Sequence, residues 1–143
     1  MGSESTRWEA PPLSSDVAAI ASYRVGVAAL VAGGAHASRL LATAIALDPG
    51  FALARAALAV ALALEGRPYE PLPRAACAIN RAERQHLEVV QAALSGSVRR
   101  ARDLRREHLL EFPGDVLIVW LPVVQHEMRP GVTIDSRDVP AQM

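Results

Sequence analysis

The segment Glu83-Arg84-Gln85-His86 has the clearest chemical potential in the chain. A Glu and a His at i and i+3 share one face of a helix. Di-iron carboxylate bundles use two such pairs, with two further glutamates from facing helices. This chain offers the spacing once, because His36, His108 and His126 each lack a Glu three residues earlier. One pair is short of ligands, so no metal and no cofactor are expected. The structural alternative is preferred. Asn80 and Glu83 form a capping box at a helix start, and His86 packs beneath a helical hairpin as a polar contact.

Nucleophile chemistry finds no motif. The chain has no Gly-x-Ser-x-Gly elbow, no Walker loop and no Gly-rich dinucleotide turn. Cys77 is the single cysteine and cannot form an internal disulfide. Its neighbours Ala75, Ala76 and Ala78 predict a small buried residue, in a reduced, cytoplasmic setting. No catalytic residue is expected, and the protein is read as a non-enzyme.

Charge offers a second candidate. Arg99, Arg100, Arg102, Arg105 and Arg106 crowd one stretch, interleaved with Asp103, Glu107 and Glu111. A basic strip of this kind could hold an acidic peptide, and Arg99, Arg102 and Arg106 are taken as candidate partner-binding residues. The plainer reading is a solvated helix face in which Arg99 pairs with Asp103 at i, i+4. No aromatic residue lies among these arginines to stack a base, so nucleic acid is not expected. The formal net charge of zero gives no global attraction to polyanions or anionic lipid.

The elements that must position these residues are helices. Apolar residues make up 51% of the chain and aromatics 4%, so the apolar mass is Ala, Leu and Val. Ala and Leu are the strongest helix formers. A first helix is predicted over about residues 15–32, with Ser14 as N-cap and Leu13 and Ala18 as a weak staple. Its inward stripe is read as Val17, Ile20, Ala21, Val25, Ala28 and Val31. A second follows over 35–47 and a third, apolar nearly all round, over 51–65. A short fourth over 72–78 is crowded by Pro68, Pro71 and Pro73. The fifth opens at Asn80, with His86, Leu87, Val90, Ala93 and Leu94 inward. The sixth covers 97–111, with Val98, Ala101, Leu104 and His108 inward. Asp115 caps a seventh, over 116–127, which Pro122 kinks. The longest uncharged run, Val25 to Ser38, falls short of the roughly 20 apolar residues of a membrane span. Residues 1–13 are expected as a flexible lead without an apolar signal core, 14–128 as the helical domain, and 129–143 as an irregular tail.

The punctuation repeats. Shifted by 64 residues, Ala28-Ala29-Leu30 falls on Ala92-Ala93-Leu94, Ala37 on Ala101, Leu40 on Leu104, Pro49-Gly50 on Pro113-Gly114, and Leu53 on Leu117. Self-similarity on this scale marks stacked helical hairpins. The expected fold is all-α: antiparallel hairpins stacked as a short tetratricopeptide-like α-solenoid of six to seven helices. The stretches Leu40 to Arg67 and Arg81 to Leu117 resemble the tetratricopeptide repeat protein 38-like family. The DPGFALA junction, the Glu-x-x-His and the spacing from Gly96 to the FPGD turn carry the resemblance. It implies an α-solenoid with no established enzymatic activity.

The resulting functional expectation is a non-catalytic helical-repeat scaffold that binds a protein or peptide. Trp120, in the run Val116-Leu117-Ile118-Val119-Trp120-Leu121, would be covered by a further repeat in a longer array. Trp120, Val116 and Val119 are therefore candidate partner-binding residues. Their alternative role is contact between copies of the chain, making a homo-oligomer through the C-terminal helix. Further alternatives are a self-associating structural module or a truncated remnant of a longer repeat protein, and a metal- or small-molecule-binding helical domain using Glu83 and His86.

Overall fold

A computed structural model describes residue 14 and residues 16–122. Expectations about 1–13, 129–143, His126 and the far end of the seventh helix lie outside the described residues. Within them the chain forms six α-helices and one 3₁₀ turn: α1 Val17–Val31, α2 Ala37–Leu47, α3 Ala52–Leu64, the 3₁₀ turn Ala75–Cys77, α4 Arg81–Leu94, α5 Val98–Glu111 and α6 Val116–Trp120. No strand occurs among the described residues, and no helix is long and apolar enough to cross a membrane.

Helix starts and stops follow from local chemistry. Asp16, not Ser14, caps α1 by accepting from the Ala19 amide at 3.0 Å. Ser14 instead accepts from the Asp16 amide and donates to the Asp48 carboxylate, tying the start of α1 to the end of α2. Three helices end alike. The Gly34, Arg67 and Ser97 amides reach back to the Ala29, Leu62 and Ala92 carbonyls, while Gly33, Gly66 and Gly96 sit at positive φ. This is the six-to-one closure that a left-handed glycine permits.

The buried face of α1 differs from the predicted stripe. Ala19, Tyr23, Gly26, Val27 and Leu30 face inward, while Val17 and Val25 are exposed. Apolar residues surround α1 almost completely, so periodicity cannot choose a face. Close approach chooses it instead. A Cβ on Gly26 would lie 2.9 Å from both Cγ and Cδ2 of Leu41, so α1 settles on α2 through its smallest residues.

Three further elements depart from expectation. The fourth helix is only the 3₁₀ turn Ala75–Cys77, because the prolines before it remove donors and fix φ. Cys77 on that turn is exposed rather than buried. The seventh helix, α6 here, stops at Trp120 rather than kinking at Pro122, with Leu121 at ψ 121°. A residue preceding proline is pushed out of the helical region.

Successive helices pack on one another from α1 to α5, and α3 lies between the first pair and α4. Eight residues of α3 are buried, as befits a helix with neighbours on two sides. Three of the six helix limits recur at a 64-residue spacing: Val17 and Arg81 begin helices, Leu47 and Glu111 end them, and Ala52 and Val116 begin them. α3 leans on α4, and α6, its counterpart, turns back onto α1. Phe51 is fully buried at the head of α3, its ring 5.1 Å from that of Tyr23.

Candidate functional site

The expected Glu83–His86 pair separates into two jobs. Asn80 Oδ1 accepts from the Glu83 amide at 2.8 Å, the cap predicted for this helix. The Glu83 side chain then reaches past Asn80 and accepts from the Ile79 amide at 2.8 Å. That serves an orphan donor at the helix entrance. His86 points elsewhere, along the inward stripe with Leu87, Val90, Ala93 and Leu94, all buried as expected.

His86 meets two residues that spacing did not join to it. From α4, His86 Nδ1 lies 2.8 Å from Asp115 Oδ2. From α5, His108 Nε2 lies 2.7 Å from the same oxygen. Asp115 stands at the N-cap position of α6, but its side chain makes no capping bond. The expected cap gives way because two ring nitrogens compete for the carboxylate. All three residues are buried, His86 at 1% exposure, His108 at 0% and Asp115 at 8%. The two rings stand edge to face, 6.3 Å apart.

A chain of polar contacts leads from this cluster to the surface. His108 Nδ1 lies 2.8 Å from Gln85 Oε1, Gln85 Nε2 donates to Glu111 Oε1 at 3.0 Å, and Arg81 pairs with Glu111 at 3.3 Å. The Gln85–Glu111 bond fixes which end of the amide faces His108. His108 Nδ1 therefore donates a proton to a carbonyl oxygen. Its Nε2 is left to donate to Asp115 or to offer a lone pair to something else. His86 Nε2, on the far side of its ring, is buried without a hydrogen-bond partner among the described residues.

Burial alone would push the Asp115 carboxyl up. The charge of His86, the hydrogen bonds from His108 and His86, and the charge of His108 outweigh it and hold the carboxyl well below the usual carboxylate range. Tyr23 of α1 feels the same charge. Burial, and then Asp115, push its hydroxyl far above the ordinary phenol range.

The triad is not something the backbone demands. Sixty-four residues earlier, the positions of His86, His108 and Asp115 are held by Ser22, Ala44 and Phe51. There a phenyl ring fills the interior, and Ser22 turns its hydroxyl to the Leu40 carbonyl. Sequence reading placed His108 inward but assigned it no chemistry, and it read Asp115 as a cap. The available signal was two inward histidines on the two helices of one hairpin, followed by a carboxylate at the next helix start.

The remaining candidates stay apart from the triad. Arg99, Arg102 and Arg106 are exposed on α5, and Asp103 pairs with Arg106 at 3.5 Å rather than with Arg99. On α6, Trp120 is half-buried against the core while Val116 and Val119 are exposed at 54% and 55%. A separate cleft of about 650 Å³ opens between α2, α3 and the extended segment 67–74. Ile45, Leu58, Leu62, Tyr69 and Pro71 line it, and an Arg55–Glu70 pair at 3.6 Å lies beside them.

No family model matches the chain, and no curated protein or solved structure was found to match it.

Proposed function

We propose that the protein is a non-catalytic helical-repeat scaffold that holds a peptide or helix of another protein, built as a short tetratricopeptide-like array of the tetratricopeptide repeat protein 38-like kind. The observation that carries this reading is the apolar cleft between α2, α3 and segment 67–74. Ile45, Leu58 and Leu62 form a helical wall, Tyr69 and Pro71 face them, and Arg55 and Glu70 supply charge. A groove of apolar wall and polar rim is how helical scaffolds take an amphipathic helix or an extended segment. The 64-residue recurrence of three helix limits supports the repeat part of the reading.

Selection of displayed random peptides on the purified full chain tests it. The expected result is enrichment of peptides with apolar anchors at regular spacing. Their binding should be lost in Leu62→Arg and Tyr69→Ala variants that keep the wild-type circular dichroism. Failure to enrich any sequence, or binding indifferent to both substitutions, overturns the proposal.

A second reading, self-association through the C-terminal helix, is favoured by Val116 and Val119. They stand three residues apart on one face of α6, both more than half exposed. Light scattering during gel filtration discriminates the two. A dimer abolished by Val116→Asp and Val119→Asp supports self-association, and a monomer at high concentration removes it.

A further inference from the structure

We propose that His86, His108 and Asp115 form a buried binding site for one divalent transition-metal ion of the Zn²⁺ class. The donors would be His86 Nδ1, His108 Nε2 and an Asp115 carboxylate oxygen. All three ligand atoms lie within 4.8 Å of one another, and they come from three successive elements, α4, α5 and the head of α6. Two imidazoles and a carboxylate suit Zn²⁺ and its neighbours, and three protein ligands leave a coordination position for water or another small donor.

The surroundings favour a ligand role over a purely structural one. A metal-bound imidazole normally donates its other ring proton to a carbonyl or carboxylate, which fixes the tautomer. His108 has that arrangement. Its Nδ1 is held by Gln85 Oε1, itself oriented by Glu111, so Nε2 is the nitrogen turned to Asp115. The network of protons now joining both rings to one oxygen could be exchanged for a cation with small displacements. Both contacts open from 2.7 and 2.8 Å toward the separation of two ligands on one ion.

Stability is a poor explanation for the same three residues. A buried carboxylate held by polar neighbours seldom outperforms apolar side chains of similar volume. The corresponding positions Ser22, Ala44 and Phe51 show that this backbone accepts an apolar filling. The second set of helices holds a polar cluster where the first has a ring.

The experiment measures Zn²⁺ binding to the purified full chain, first stripped with a chelator, by competition against a chromogenic chelator. Co²⁺ absorption spectra report the ligand geometry. Wild type is expected to take one Zn²⁺ per chain, to melt at a temperature that rises with Zn²⁺ concentration, and to give visible Co²⁺ bands. Gln85→Ala, which removes only the outer support, should weaken binding about 10- to 100-fold. A triple variant, His86→Ser with His108→Ala and Asp115→Phe, copies the residues of the first half. It should fold cooperatively, bind no Zn²⁺ and give no Co²⁺ bands. Wild type without saturable binding, or a folded triple variant that binds as tightly as wild type, overturns the site. So does a Gln85→Ala affinity equal to that of wild type.

Discussion

Asp115→Ala gives the sharpest stability test, made in the presence of a chelator. One oxygen of this carboxylate accepts from two ring nitrogens at 2.7 and 2.8 Å, inside a cluster whose members are 8% exposed or less. Removing it leaves both protons without acceptors, at roughly 1–3 kcal/mol for each buried group. His86, whose Nε2 has no hydrogen-bond partner among the described residues, would then have neither nitrogen bonded. The two unsatisfied groups together cost about 2–6 kcal/mol. For a domain near this size each kcal/mol moves the melting temperature by roughly 4 °C. Thermal unfolding followed by far-UV circular dichroism should therefore shift down by about 8–24 °C. The His86→Ser, His108→Ala, Asp115→Phe triple variant removes every member together and should stay within about 2 kcal/mol of wild type. An Asp115→Ala melt indistinguishable from wild type would refute the reasoning, because the two contacts would then contribute nothing in solution. A triple variant as damaged as the single one would show that the polar cluster, not its completeness, supports the fold.

Three other outcomes follow from packing, capping and exposure. Gly26→Val places methyl groups where Leu41 already lies within 2.9 Å of a Cβ, and urea unfolding should register a loss of about 1–3 kcal/mol. Asn80→Ala removes the acceptor for the Glu83 amide and should lower stability by about 1 kcal/mol in the same assay, with α4 the helix whose amide protection from hydrogen exchange falls most. Cys77 is exposed, so a thiol-specific chromogenic reagent should titrate one group in the native protein at the rate seen in urea. A thiol that reacts only after unfolding would contradict its position on the 3₁₀ turn.

What the residues revealed divides along physical lines. The starts and ends of α2 to α5 were legible within two residues, because Pro-Gly pairs, left-handed glycines and the Asn80 cap act locally. The inward stripe of α4 was legible because charge on its other face leaves one choice. The face of α1 was not, since nearly every face is apolar and the decision rests with Gly26 meeting Leu41 across a helix pair. Cys77 was misplaced because alanine neighbours signal burial in a helix, and prolines upstream left only one 3₁₀ turn there. The candidate site was half legible. His86 stood out through Glu83, although the two residues serve different partners. Asp115 and His108 were hidden by separations of 29 and 7 residues from the atoms they meet, distances that only the folded chain closes.

The return of α6 onto α1 has a consequence for how two copies could meet. Residues 17–64 and 81–120 form two halves joined by the irregular segment 65–80, and each half ends in a helix that leans on the first helix of the other. Those contacts do not record which chain supplies the partner half. A second molecule could offer the same surfaces, and the reach of segment 65–80 decides between a self-contained chain and two chains that trade halves. Shortening that segment until it cannot span the gap should turn monomers into exchanged dimers with every helix contact retained.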